Sequence, residues 1–112
     1  MRRPWARRAV GLAVVVLAAS LVPASGGGSL PPNADKLLHL AGYAAVAFAA
    51  AMALDDDTDR ALVGVALAVT AFGAGVEVVQ PTVGRTASVL DALANAAGAA
   101  LGVLATRVSR SR

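Results

Sequence analysis

The sequence predicts an all-α membrane protein, a polytopic bundle of four transmembrane helices, on three observations. The 112-residue chain is 57% hydrophobic and only 15% charged, where soluble domains run near 45–50% apolar and roughly 25% charged residues. Its mean hydropathy is +0.67. Four apolar segments, at 9–24, 36–54, 61–80 and 87–106, alternate with short polar or Gly/Pro-rich stretches. No stretch could build a second, water-soluble core, so residues 1–112 read as one membrane domain. The chain has no cysteine, which excludes disulfides and thiolate metal sites. The net charge of +3 sits mainly at the termini, which suits orientation in a membrane rather than nucleic-acid binding.

The first residues, MRRPWARR, place Arg2, Arg3, Arg7 and Arg8 around Trp5 and read as a basic flank with an interfacial aromatic anchor. Segment 9–24 is short against the roughly 20 residues of a typical span, and Pro23 and Gly26–Gly28 end it. It reads as a retained first helix, which Trp5 could extend. The rival reading is a cleaved signal peptide, with its basic start, apolar middle and small residues at Ala24 and Ser25. The loop after it holds three glycines and Pro31-Pro32, and Asn33 or Asp35 can cap the second helix. The turn Asp55–Arg60 reads as a solvated helix hairpin with Asp57 or Asp59 capping the third helix. It lacks the glycine and closing glutamate of a calcium loop. In the third segment, Gly64, Gly73 and Gly75 are small points where another backbone can approach. In the fourth, Gly98-x-x-x-Gly102 is a small-residue packing motif. The chain closes on a second basic flank, RVSRSR.

With both termini cytoplasmic, the inner side holds Arg2, Arg3, Arg7, Arg8, Arg60, Arg107, Arg110 and Arg112, and the outer side only Lys36 and Arg85. That bias of basic residues predicts a multi-pass protein of the cell membrane with both ends inside.

The unusual polar residues then gather at one level. Asp35, Lys36, His39 and Tyr43 begin the second span, Glu77 and Gln80 end the third, Arg85 lies in the loop, and Ser88, Asp91 and Asn95 begin the fourth. At 1.5 Å rise per residue, all lie within about 5–15 Å of the outer surface. Ionisable groups at that depth are costly and ask for a reason. The bland reasons are a Ser88–Asp91 capping box, an interhelical Asn95, an interfacial Tyr43, and Lys36 and Arg85 on lipid phosphates. As chemistry, acids, one imidazole and two cations suit proton transfer beside an anion. His39, Glu77 and Asp91 are the candidate catalytic groups, and Asp35, Lys36, Tyr43, Gln80, Arg85, Ser88 and Asn95 the candidate ligand-binding groups. A divalent metal on Asp35, His39, Glu77 and Asp91 has no close ligand motif behind it. Nucleophile-elbow, Walker and zinc-helix motifs are absent from the sequence, so whether the chain is an enzyme, and with which cofactor, stays open.

At Asp35-Lys36-x-x-His39-x-x-x-Tyr43, Glu77-x-x-Gln80 and Gly84-Arg85-x-x-Ser88-x-x-Asp91-x-x-x-Asn95-x-x-Gly98, the chain resembles the VanZ-like family of small membrane proteins. The matching pieces cover residues 35–98; the first span and the acidic turn match only in type. The family's namesake is associated with low-level resistance to the glycopeptide teicoplanin. The resemblance implies a small helical bundle with a cell-envelope role, and as ligand an anionic lipid-linked or wall-related molecule beside the membrane lipids. The competing expectation is a structural or assembly partner of a larger membrane complex.

Overall fold

The structure is a computed structural model that describes residues 2–21, 34–55, 58–79 and 89–110. Each apolar segment forms one helix: α1 (Arg3–Leu21), α2 (Ala34–Ala53), α3 (Asp59–Val79) and α4 (Val89–Arg110). They are 19 to 22 residues long, or about 29–33 Å at 1.5 Å per residue, which matches a hydrocarbon core of about 30 Å. All four are long and apolar enough to cross a membrane.

Two helices exceed their expected bounds by about a turn or more, for identifiable reasons. The first starts at Arg3 rather than at residue 9. Pro4 falls in its first turn, where a missing N–H costs nothing, and the arginines that follow are good helix formers. Trp5 is therefore helical. Its ring meets Phe48 of α2 edge-on at 5.6 Å between centroids, and the Arg8 guanidinium lies 4.5 Å over it. At the other end, α4 runs past 106 to Arg110. The terminal arginines expected to be a simple flank extend the last turns of a packed helix.

Sequence separations show how the helices run. Contacts between α2 and α4 join His39 to Asn95, Phe48 to Thr106 and Leu54 to Arg110, at nearly constant separations of 56, 58 and 56 residues. A constant offset means the two helices are parallel, and theirs is the largest interface in the molecule. α1 lies antiparallel to α2, with Val16 against Gly42 and the Arg2 N–H donating to Ala53 O at 2.8 Å. α3 lies antiparallel to α4, with Gly73 against Asn95 and Asp59 paired with Arg107.

Glycine explains how α2 and α4 come so close. A Cβ on Gly98 would strike Leu40 O and sit 3.2 Å from Ala44 N; one on Gly102 would strike Ala44 O and sit 2.9 Å from Phe48 N. The two positions lie one turn apart on one face of α4, so the backbone of α2 lies in a groove that only glycine leaves open. Ala47, Ala51 and Ala99 complete the dry seam, each with essentially no exposure. Gly64 and Gly75, expected to be approach points, face open space; only Gly73 of the three is packed.

The surface is inverted relative to a soluble protein. Leu37, Leu67, Val78 and Val89 are 64%, 65%, 77% and 76% exposed, whereas His39, Glu77, Asp91, Asn95 and Thr106 are buried. In water such a surface would drive aggregation; in lipid it is the stable arrangement. The fold is therefore that of a multi-pass membrane protein. The half of the bundle away from the site has a buried polar residue of its own, Thr106. It is fully buried, and its hydroxyl donates to Gly102 O at 3.1 Å.

That other end is tied by charge. Arg110 donates to Leu54 O and to Met52 O, capping the C-terminal carbonyls of α2. Arg2 pairs with Asp55 at 3.8 Å and Arg107 pairs with Asp59. Asp55 and Asp59 of the acidic turn are thus paired while staying largely exposed, as a solvated hairpin allows. Thr58 caps α3, its hydroxyl accepting from the Ala61 N–H at 3.3 Å; Asp59 already lies in the helix, and Asp57 is outside the described residues.

The seam makes a directional prediction. Gly98→Ala and Gly102→Ala should each destabilise the protein by about 1–3 kcal/mol through overpacking. Gly64→Ala and Gly75→Ala should be neutral or stabilising by up to about 1 kcal/mol, since helix propensity improves without a clash. Unfolding of the four variants in one detergent checks the contrast.

Candidate functional site

The site is assembled where α2 and α4 begin and α3 ends. On α2, Lys36, His39 and Tyr43 recur at spacings of three and four residues, which puts them on one helix face. On α4, Asp91 and Asn95 sit one turn apart on the face that continues into Gly98 and Gly102. Because the helices are parallel, these two faces meet level by level. Lys36 Nζ lies 3.4 Å from Asp91 Oδ1, and one turn deeper His39 Nδ1 lies 2.9 Å from Asn95 Oδ1.

The two pairs differ in kind. Lys36–Asp91 is an ionic contact without hydrogen-bond geometry, between a half-exposed ammonium and a buried carboxylate whose side chain is 6% exposed. His39–Asn95 is a buried hydrogen bond. An amide oxygen can only accept, so Nδ1 carries the proton and the neutral ring keeps its lone pair on Nε2. Asn95 thereby fixes the ring's orientation and leaves Nε2 as the nitrogen not used in this bond.

Tyr43 closes the floor. Its ring lies nearly parallel to that of His39, 6.2 Å away at 9°, and contacts Phe72 of α3 at 6.0 Å. Gly73 of α3 makes room for both partners. A Cβ there would lie 3.0 Å from Asn95 Nδ2 and 3.1 Å from Tyr43 Cε1. One turn further along the same face of α3 is Glu77, also buried. Tyr43 Oη and Asn95 Nδ2 are buried without a hydrogen-bond partner among the described residues.

The structure therefore brings together six of the ten residues expected at the site: Lys36, His39, Tyr43, Glu77, Asp91 and Asn95. Asp35 lies in the first turn of α2, but its side chain lies outside the described residues, as do Gln80, Arg85 and Ser88 entirely. One contributor was not anticipated, and one further buried polar residue lies at the level of the site. Phe72 packs on Tyr43, with no signal that would separate it from other apolar residues of α3. Ser20 is buried on α1, one turn beyond Val16, which touches Gly42 of α2. A hydroxyl in the last turn of an apolar helix, at the site's level, was a readable sign. Among the described residues no three His, Asp or Glu side chains are placed to hold a metal ion.

Chemically, the arrangement offers a cation at the mouth, a base of defined tautomer beneath it, and buried donors at the floor. The ion pair and the buried acid on the third helix lie beside groups withdrawn from water, where electrostatic interactions are strengthened.

Two measurements test this geometry. A double-mutant cycle of His39→Ala and Asn95→Ala should give a coupling of about 0.6–1.7 kcal/mol, the range of interhelical hydrogen bonds in membranes. Tyr43→Phe should leave the ligand-free protein as stable as before or more so, because it removes a buried hydroxyl without a partner. A loss of more than about 1 kcal/mol would show instead that Oη has an acceptor.

Comparison with known proteins gave no matching family model, no curated relative and no solved structure of similar fold.

Proposed function

We propose that this chain is a VanZ-like membrane protein that binds or modifies an anionic lipid-linked or cell-envelope ligand at the Lys36–His39–Asp91–Asn95 site. Both termini are cytoplasmic in this reading, and the site opens near the outer membrane face. The observation that carries it is that two parallel helices pair side chain to side chain at this level, Lys36 with Asp91 and His39 with Asn95, whereas at the other end Thr106 and Arg110 reach only backbone carbonyls of the partner helix end. Structural glue alone would need no ionisable groups there: a bundle already sealed by the glycine seam gains little from a lysine, a histidine and two acids, each costly to desolvate.

The roles follow from position. Lys36, half-exposed at the mouth, meets the anion. His39, held by Asn95, takes or gives the proton. Glu77 and Asp91 set the charge balance around them and are the remaining candidates for acid or base.

The test uses the purified protein in nanodiscs with polyprenyl phosphate as an anionic lipid-linked probe. Lys36→Gln should weaken binding at least tenfold, and His39→Gln should spare binding while abolishing any turnover. Unchanged binding in folded Lys36→Gln, Glu77→Gln and Asp91→Asn variants would end this reading.

A second reading has an observation of its own. Lys36–Asp91 and His39–Asn95 are complete pairs within the chain, as in a network that fixes helix register for a structural or assembly partner of a larger complex. It predicts that the same changes lower thermal stability sharply and alter no binding.

Orientation is checked independently, because the chain has no native cysteine. An impermeant thiol reagent applied to intact cells should label Thr82→Cys and not Thr58→Cys. The opposite pattern would turn the site to the cytosol.

A further inference from the structure

The floor of the polar cluster holds two groups that its pairs do not account for. Tyr43 Oη and Asn95 Nδ2 are buried, and neither has a hydrogen-bond partner among the described residues. Tyr43 is 0% and Asn95 1% exposed. Both side chains flank one glycine of α3, Gly73, which keeps a Cβ out of the place where they meet that helix. Buried Glu77 lies one turn further along α3, yet neither donor is bonded to it. A phenol O–H or an amide N–H withdrawn from water without an acceptor costs stability, and a bundle in lipid has no bulk water to offset it. Neither donor is needed for packing. Phenylalanine fills the space of a tyrosine ring, and Phe72 already packs on this one. His39 needs only an acceptor oxygen, which Asn95 Oδ1 supplies; the amide N–H2 comes in addition.

We propose that Tyr43 Oη and Asn95 Nδ2 are donors kept for the ligand, and that with Lys36 they select a phosphate monoester over a carboxylate. The proposal rests on the reading of this cluster as an anion site. Helical side chains lean toward the N-terminus of their helix. For α2 that end is the mouth, so the phenol leans back toward His39, whose ring it parallels at 6.2 Å. On α4, Asn95 lies one turn below Asp91, the residue that Lys36 reaches, a step of about 6 Å. The Lys36–Asp91 contact lacks hydrogen-bond geometry and the lysine side chain is 37% exposed, so the ammonium can turn to an incoming anion. A cation at the mouth and two neutral donors deeper in ask for several acceptor oxygens. A phosphate monoester offers three, set around a tetrahedral phosphorus. A carboxylate offers two in one plane and leaves a buried donor without a partner, which is how a polar site rejects a ligand.

The experiment uses the full chain in nanodiscs with two probes of one hydrocarbon tail, polyprenyl phosphate and the matching carboxylate. The wild-type chain should bind the phosphate at least tenfold more tightly than the carboxylate. Tyr43→Phe should remove most of that preference, weakening the phosphate and sparing the carboxylate, with thermal stability unchanged or raised. A hydroxyl with a partner inside the protein would do the opposite, costing stability when removed and sparing the preference; that result overturns the proposal. Equal binding of the two probes by the wild type overturns it too. If Lys36→Gln weakens phosphate binding and Tyr43→Phe does not, this inference falls while the anion site stands. If the wild type binds neither probe, both fall.

The chain holds a single tyrosine, which gives a second readout that needs no variant. With carbon-13 at the tyrosine Cζ, its one resonance should move on addition of the phosphate and stay in place with the carboxylate. A resonance that the bound phosphate leaves unmoved overturns the proposal.

Discussion

Backbone-to-backbone contact between α2 and α4 is the constraint on which the rest of the structure depends. Between apolar helices in lipid there is no hydrophobic driving force, and association rests on close packing and on interhelical polar contacts. Gly98 and Gly102 supply the close packing, bringing α4 against the carbonyls of Leu40 and Ala44. Once the seam is in register, every other pairing between these helices is set. Lys36 meets Asp91, His39 meets Asn95, Thr106 meets Phe48 O, and Arg110 reaches Leu54 O. The offset stays between 55 and 58 residues from end to end because a parallel pair of straight helices has only one register at a time.

This pairing has electrostatic consequences at both ends. Parallel helices place like dipole ends side by side, two positive and two negative. At the C-terminal end, the cationic Arg110 sits on the carbonyls of Met52 and Leu54, which offsets the negative pair. At the N-terminal end the buried Asp91 carboxylate lies in the first turn of α4, where negative charge is favoured. The acid therefore has two reasons to be stable there, the helix end and Lys36. The same placement buries His39 between Asn95 and Tyr43.

Much of the site was legible along the chain, because helical periodicity alone aligns Lys36, His39 and Tyr43, and Asp91 with Asn95 and the two glycines. Topology then places the starts of the second and fourth helices and the end of the third at one level. What sequence could not express was the partner of each residue. Asp35, His39 and Tyr43 looked like one stripe with many conceivable companions; packing chose Asn95 for His39 and Asp91 for Lys36. Gly64, Gly73 and Gly75 look alike as text, yet only Gly73 meets another helix, since an α3 face is selected by contact and not by composition. The terminal arginines were read as orientation signals. Their second use, as caps and ion partners, required knowing which helix ends lie together.

The sequence by itself determined the class, the number of helices and the depth at which polar residues lie, because those follow from hydropathy, segment length and the rise of an α-helix. Tertiary structure alone decided which helices are neighbours, which glycines are packed, and which imidazole nitrogen donates to Asn95. The reason is physical. Transfer into lipid depends on each residue's own polarity, a property of composition, whereas tautomer and pairing depend on atoms that are distant in the chain and are brought together by the glycine seam.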